Sequence, residues 1–371
     1  MRLLYCSTIK YPSKLANRYQ VYAMARALAI ALGDNFYLGG RRIITDDPLL
    51  QNRTAIIKGS GFSFVIALRY LLFIRNHGIM HIYSRSERLF FFIVLFNNYL
   101  FHLPLKYIFE IHRLPQKTRF FHRYNFKKAH MLVVVTSFIK QGLIKIGIPE
   151  KKIFVAPDGV DLEPFLELRK KTKEELRRDL NLPPDKKIVC YVGTYKTMGM
   201  GKGVDELIIA FPEVLKKNPD AFLLLVGMDE QSKLEVEALI RQSGILEENG
   251  RVVAFVPQKV AQAYMVASDV LVMNFPWTEH YAYFMSPMKM FEYMASGTPI
   301  ITTDLPSVRE ILSEKNAYFV KPGDPQGLAR GISEVLSNQV LSDNISKQAF
   351  NDVSKYTWNV RAENILIAVK N

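Results

Sequence analysis

The sequence predicts an α/β protein of two doubly wound domains facing a cleft. Three observations lead there. Short apolar runs alternate with helical patterns along nearly the whole chain. Those runs are almost continuously apolar, as parallel strands covered on both faces are. One highly charged stretch, Leu162–Lys187 with Pro183-Pro184, interrupts the alternation midway. The length of 371 residues suits two domains.

Taken in order, RLLYC (Arg2–Cys6) reads as a strand before an amphipathic helix, Ala16–Leu32. MHIYS (Met80–Ser84) precedes the apolar helix Glu87–Asn97. KYIFEIH (Lys106–His112) and MLVVVT (Met131–Thr136) are β-rich, and helix Ser137–Gly147 leads to KIFVAPDG (Lys152–Gly159). The second half repeats the pattern with KIVCYVG (Lys187–Gly193), AFLLLVG (Ala221–Gly227), VVAFV (Val252–Val256), DVLVMN (Asp269–Asn274), PIITT (Pro299–Thr303) and AYFV (Ala317–Val320). The expected domains are 1–161 and 187–355, joined by a charged, solvated helix and linker at 162–186. The last segment, 356–371, is expected as a helix packed back on the first domain.

Hydrophobic residues make up 49% of the chain, enough for two cores. Its two cysteines, Cys6 and Cys190, lie in apolar runs and form no disulfide framework, which suits a reducing compartment. Charge and turn residues (Lys10, Pro12, Lys14) follow Met1–Cys6 too soon for a secretory signal. The longest apolar run, LFFFIVLF (Leu89–Phe96), falls far short of the ~20 residues that cross a bilayer. The expected location is the cytoplasm, peripheral on the inner face of the membrane. The net charge of +14 is lopsided: residues 1–160 hold 24 Lys+Arg against 7 Asp+Glu. A basic half points to a polyanion, whether nucleic acid, an anionic membrane or a phosphorylated substrate, and a merely solubilising surface accounts for the charge equally well.

Three local patterns carry chemistry. GTYKTMGMGKG (Gly193–Gly203) places four glycines and Lys202 between an apolar strand and a helix. Glycines let backbone approach a ligand, and a helix start attracts phosphate. The spacing is neither a Walker A motif nor G-x-G-x-x-G. SPMKMFEYMASG (Ser286–Gly297) reads as a short helix capped by Ser286, with Pro287 in its first turn and Gly297 at its end. Lys289 and Glu292 share one face of it at i,i+3, as a surface pair or as groups looking into a ligand cleft. FEIHRLP (Phe109–Pro115) puts Glu110 and His112 on one side of a strand, with His112 at its carboxyl end. No metal-ligand spacing, nucleophile elbow or nucleic-acid module is recognisable.

These segments resemble, in order and over nearly the whole length, the retaining nucleotide-sugar glycosyltransferases of family four, which have the two-Rossmann GT-B fold. VGTYKTMGMGKGVDELIIAF, LLLVG, ASDVLVMNFP and SPMKMFEYMASGTPIITTDLPSVREIL carry the resemblance most specifically. FEIHRLP and the stretch ending in Gly159-Val160-Asp161 extend it into the first half. The resemblance implies transfer of a sugar from a nucleoside diphosphate to a glycan or lipid-linked acceptor in cell-surface polysaccharide or glycolipid synthesis. It implies no metal and no cofactor, and nucleic acid is not a partner. Catalytic roles fall on His112 near the sugar, Lys202 on the diphosphate and Glu292 on the ribose. Donor contacts fall on Gly193, Thr194, Lys196, Gly201, Val256, Pro257, Ser286, Met288 and Lys289, and the acceptor side on Asn17, Arg85 and Arg113. The sequence departs from the family in three places. Phe284 stands where the first of the paired glutamates belongs, with Glu279 as the nearest substitute. The arginine preceding the lysine is absent, leaving Lys196 to supply its charge. SKLANR (Ser13–Arg18) replaces the glycine pair of the first loop. A decayed nucleotide-sugar-binding protein, or another GT-B enzyme, is the alternative that these departures raise.

Overall fold

A computed structural model describes the chain except residues 12–15, 52, 57–61, 116–118, 198 and 371, and the side chains of 16 and 54–56. It divides into two compact units, Met1–Asp158 with Trp358–Asn371, and Gly159–Thr357.

The first unit is built on a seven-stranded parallel sheet. In chain order its strands are β1 (Leu3–Cys6), β2 (Phe36–Gly40), β3 (Thr54–Ile56), β4 (His81–Ser84), β5 (Lys106–Ile111), β6 (Met131–Val134) and β7 (Ile153–Val155). Their spatial order is β3-β2-β1-β4-β5-β6-β7. The order reverses between β1 and β4, which makes that pair a topological switch point. β1 and β6 are buried along their whole length, which is why they read as unbroken apolar runs. The periodicity of the sequence does not disclose β2, because FYLGG looks like a turn. Gly39 is there because the ring of Tyr70 lies where a Cβ would stand, and the Tyr70 hydroxyl donates to Ser7 O at 2.9 Å. Helix Trp358–Lys370 lies against helix Ala16–Leu32. LFFFIVLF is half core: in helix Glu87–Phe96, Leu89, Phe90, Ile93 and Val94 are buried, while Phe91 and Phe92 pack among outer rings.

The second unit holds a six-stranded parallel sheet: β8 (Lys187–Val192), β9 (Ala221–Met228), β10 (Gly250–Ala254), β11 (Val270–Met273), β12 (Ile300–Thr303) and β13 (Tyr318–Val320). The order is β10-β9-β8-β11-β12-β13, with its switch point between β8 and β11. Residues 162–186 are helical, as expected, but they are packed rather than solvated. They form helices Glu163–Leu168 and Lys173–Asp179, the second closed by a reciprocal Thr172–Glu175 cap, and both pack on helix Gln258–Ala267. Phe165, Leu176 and Arg177 are buried there, and the charge of Arg177 is met by Asp269 at 2.5 Å. The stretch looks solvated because its polar residues outnumber these anchors in sequence. Cys6 and Cys190 are buried and unpaired within strands. No described helix is long and apolar enough to cross a membrane.

Candidate functional site

In the second unit, the turn Gly193–Gly203 leaves the carboxyl end of β8 at the switch point. Its backbone is held from three sides. Gly193 N donates to Val226 O at 2.8 Å, the Tyr191 hydroxyl donates to Thr194 O at 3.0 Å, and Asn274 Nδ2 donates to Gly203 O at 2.7 Å. Lys196–Thr197 pairs antiparallel with Met200–Gly201, folding the loop on itself. Gly203, at φ 81°, opens helix Val204–Lys217, and a Cβ there would run into the Asn274 carbonyl. Lys202 donates to Thr194 Oγ1 at 2.7 Å, and burial draws its ammonium down to about 8.

The helix that begins after Pro287 runs Met288–Ser296. This corrects the expected cap. Pro287 itself is the N-terminal flanking residue, in extended conformation and without a side-chain cap, so the helix starts one residue later than a Ser286 cap requires. Gly297 closes it at φ 71°, as its position predicts. Lys289 and Glu292 do not bond to each other. Gln258, at the start of the helix after β10 and Pro257, donates to Glu292 Oε1 at 3.1 Å. Burial raises the Glu292 carboxyl. Lys289 Nζ is buried with no hydrogen-bond partner among the described residues. It lies 3.8 Å from the centre of the Tyr191 ring and 5.5 Å from that of Phe275. A Cβ on Gly193 would come within 2.7 Å of it, so the missing side chain is what lets this ammonium reach the loop. Burial, and then the charge of Lys202, press Lys289 well below the ordinary lysine range.

Lys196, expected to replace a missing arginine, is half exposed and lies 3.5 Å from Glu235. Val256 is partly buried and Pro257 exposed, at the lead-in to Gln258. Phe284 ends a π-helical turn, His280–Phe284, and Glu279 is exposed at its start. Tyr191, Asn274, Phe275 and Gln258 belong to the constellation although no motif assigns them a role. They are strand-end and loop residues that only the sheet order brings together.

In the first unit, His112 directly follows β5. Its Nε2 bonds Glu110 Oε1, so the two side chains do lie on one side of the strand. Glu110 also accepts from the Tyr83 hydroxyl and, at 2.9 Å, from Arg361 Nη2 of helix Trp358–Lys370. Burial alone would raise the Glu110 carboxyl, but Arg361 and then His112 outweigh it and hold it well below the usual range. Arg85 joins the same network: its Nη1 donates to Gln20 Oε1 at 3.2 Å, and Gln20 Nε2 donates to Asp158 Oδ2 at 2.6 Å. Ligand atoms of Glu110, His112 and Asp158 lie within 4.8 Å of one another. Arg361 Nη2 and His112 Nε2 both bond the same Glu110 oxygen, Oε1. Arg113 and Asn17 are exposed, and Ser13–Leu15 of the first loop lie outside the described residues. Nothing in the motif reading marks Arg361. It reaches His112 through Glu110 only because the chain's last helix returns to the first sheet.

Residues 172–352 match the family model described as "Glycosyl transferases group 1". The spore coat protein SA of Bacillus subtilis is 27% identical over 247 residues, covering 63% of each chain. The phosphatidyl-myo-inositol mannosyltransferase of Mycobacterium tuberculosis is 28% identical over 215 residues, 57% of this chain and 52% of that one. The match thus spans between 52% and 63% of these two relatives' length. Among solved structures, a glycosyltransferase from Rickettsia africae superposes with a TM-score of 0.79 at 17% identity, covering 99% of this chain and 97% of that one. Anabaena Alr3699/HepE, solved in complex with UDP, gives 0.74 at 16% identity with both chains fully covered. At these identities the superpositions show the fold, the two-domain GT-B architecture.

Proposed function

From the premise that this chain, through residues 172–352, belongs to the group 1 glycosyl transferases, we propose that it moves a sugar from a nucleoside-diphosphate sugar to a glycan or lipid-linked acceptor, with retention and without a metal ion. The observation that carries the reading is the meeting of two lysines, the half-buried Lys202 and Lys289 with its buried Nζ, on a glycine-rich turn and a helix start with no carboxylate salt-bridged to either among the described residues. An amine without a carboxylate partner carries its charge in such a place only at a cost, which a bound anion relieves.

In this reading the diphosphate lies on the Gly193–Gly203 turn, where Lys202 and Lys289 carry the charge that develops on it. The first free amides of helix Met288–Ser296 add their dipole. Glu292, held by Gln258, accepts from the ribose hydroxyls. As the bond from the anomeric carbon to the phosphate oxygen breaks, the acceptor oxygen bonds that carbon from the same face, and the acceptor's proton passes to the departing phosphate oxygen. No enzyme nucleophile is consumed. In this reading Nδ1 of His112, whose Nε2 is committed to Glu110, is the group left for the transferred sugar. The basic first unit faces the acceptor. Its ring cluster (Phe62, Phe64, Phe92, Phe91 and Phe120), flanked by exposed Arg88, Arg123, Lys127 and Lys128, suits the anionic surface of a membrane.

A thermal-shift panel of UDP-, GDP-, ADP- and TDP-sugars identifies the donor: a ligand at about 100 times its dissociation constant stabilises by ~2.7 kcal/mol. With that donor and an acceptor, Glu292→Ala and Lys202→Ala are each expected to lower transfer ~10²–10³-fold with the fold intact. Wild-type turnover in both variants overturns the site. Phe284 motivates a second reading, a nucleotide-sugar-binding protein without turnover, which binding across the panel with no transfer to any acceptor would establish.

A further inference from the structure

Lys289 poses a problem that donor binding alone does not address. Its Nζ is buried and unbonded, yet it touches two aromatic rings in a place where a second lysine already stands. The titratable groups facing it are few. Lys202 comes from the turn, Tyr191 and Cys190 from β8, and Glu292 from its own helix. Of these only Glu292 opposes its charge. That carboxyl is itself pushed toward its neutral form by burial and is bonded to Gln258 instead. Tyr191 and Cys190 are held neutral by burial. The ring face of Tyr191 is a weak counter-charge compared with the water or carboxylate that an ammonium ordinarily keeps.

We infer that the Lys289 amine is uncharged in the free protein, and that binding of a nucleoside diphosphate brings a proton onto it from solvent, so that donor binding is coupled to proton uptake. This rests on the donor site proposed above and goes beyond it. The charge that stabilises the leaving diphosphate is then not stored in the empty site, where two cations would repel each other and lack solvent. The ligand recruits it. The step is an acid–base transfer only: solvent or buffer gives up a proton, the Nζ lone pair accepts it, and the new ammonium donates to a phosphate oxygen. An incoming anion raises the proton affinity of both lysines, by the same linkage that lets their protonation tighten its binding. The sign is fixed. Affinity is highest at low pH and falls as pH rises, and the fall is steeper than Lys202 alone produces.

Isothermal titration calorimetry of the intact chain with UDP and GDP tests this. At pH 9, in buffers of different ionisation enthalpy, the slope of observed enthalpy counts protons taken up. The phosphates of both are fully ionised there, since a terminal phosphate titrates near pH 6, and the ring N–H of uracil or guanine, which begins to titrate in this range, contributes alike to wild type and variant. Lys202, titrating at about 8, supplies roughly one proton at most. The wild-type slope is expected to exceed one proton and approach about two. Lys289→Met, close in shape and without a titrating group, is expected to bind more weakly and to take up about one proton less. A wild-type uptake of one proton or fewer overturns the inference whether or not the variant folds. So do equal slopes in wild type and variant, and either result leaves the donor site standing. If neither of them binds, nor ADP or TDP in their place, the donor site falls, and the inference with it.

Discussion

Replacing Arg361 with Met tests how the last helix serves the first unit. The guanidinium and the Glu110 carboxylate are each only 3% exposed, and their contact is 2.9 Å. Arg361 Nε also donates to Pro157 O at 2.8 Å, tying the helix to the segment after β7. Burial works against its charge, and Glu110, Tyr83 and Asp158 together outweigh that penalty. Methionine keeps most of the apolar stem but leaves the Glu110 carboxylate buried beside His112 without its main counter-charge. Removing one partner of a buried pair in this way costs about 3–5 kcal/mol. For a unit of this size each kcal/mol lowers the midpoint by about 2–4 °C, so a fall on the order of 10 °C is expected. The chain's two tryptophans make the assay specific. Trp358 is buried in the first unit and Trp277 is exposed in the second. In a Trp277→Phe background, Trp358 fluorescence during urea or thermal unfolding therefore reports the first unit. Adding Glu110→Gln to Arg361→Met removes the orphaned charge and is expected to recover about 1–3 kcal/mol. A loss below about 1 kcal/mol, or a double variant no more stable than the single, refutes the reasoning.

Two further outcomes follow from the geometry. Gly203→Ala places a Cβ against the Asn274 carbonyl at a φ of 81°, and is expected to lower the thermal midpoint and abolish the nucleotide-induced shift. The backbone term alone is about 1–2 kcal/mol, and a wild-type midpoint with full nucleotide response contradicts the packing described. In liposome flotation, the protein is expected to rise with vesicles containing anionic lipid and to stay behind with neutral ones. Glutamates in place of Arg88 and Arg123 should weaken flotation without altering nucleotide binding, and flotation indifferent to lipid charge rules out the membrane face.

Much of this protein was legible in its amino-acid order because parallel strands buried on both faces leave a dense apolar signature, and because turns with φ above zero demand glycine. β1, β5, β6 and all six strands of the second sheet declare themselves that way, as do the Gly193–Gly203 turn and the end of the helix at Gly297. β2 stayed hidden because its Gly39 exists to accommodate a ring arriving from Tyr70, a contact no local window contains. The charged stretch 162–186 misled for a related reason: its few buried anchors, Phe165, Leu176 and Arg177, find their partners about ninety residues away. The sites divide in the same manner. Motif and spacing pick out His112, Lys202 and Glu292 as residues of the right chemistry. Only the fold joins Arg361 to Glu110 across 251 residues, hands Glu292 to Gln258 and leaves the Lys289 Nζ with no hydrogen-bond partner among the described residues. A residue's type is written in the chain, but its solvation and its counter-charges belong to whatever the fold packs around it, and those set how strongly it holds a proton.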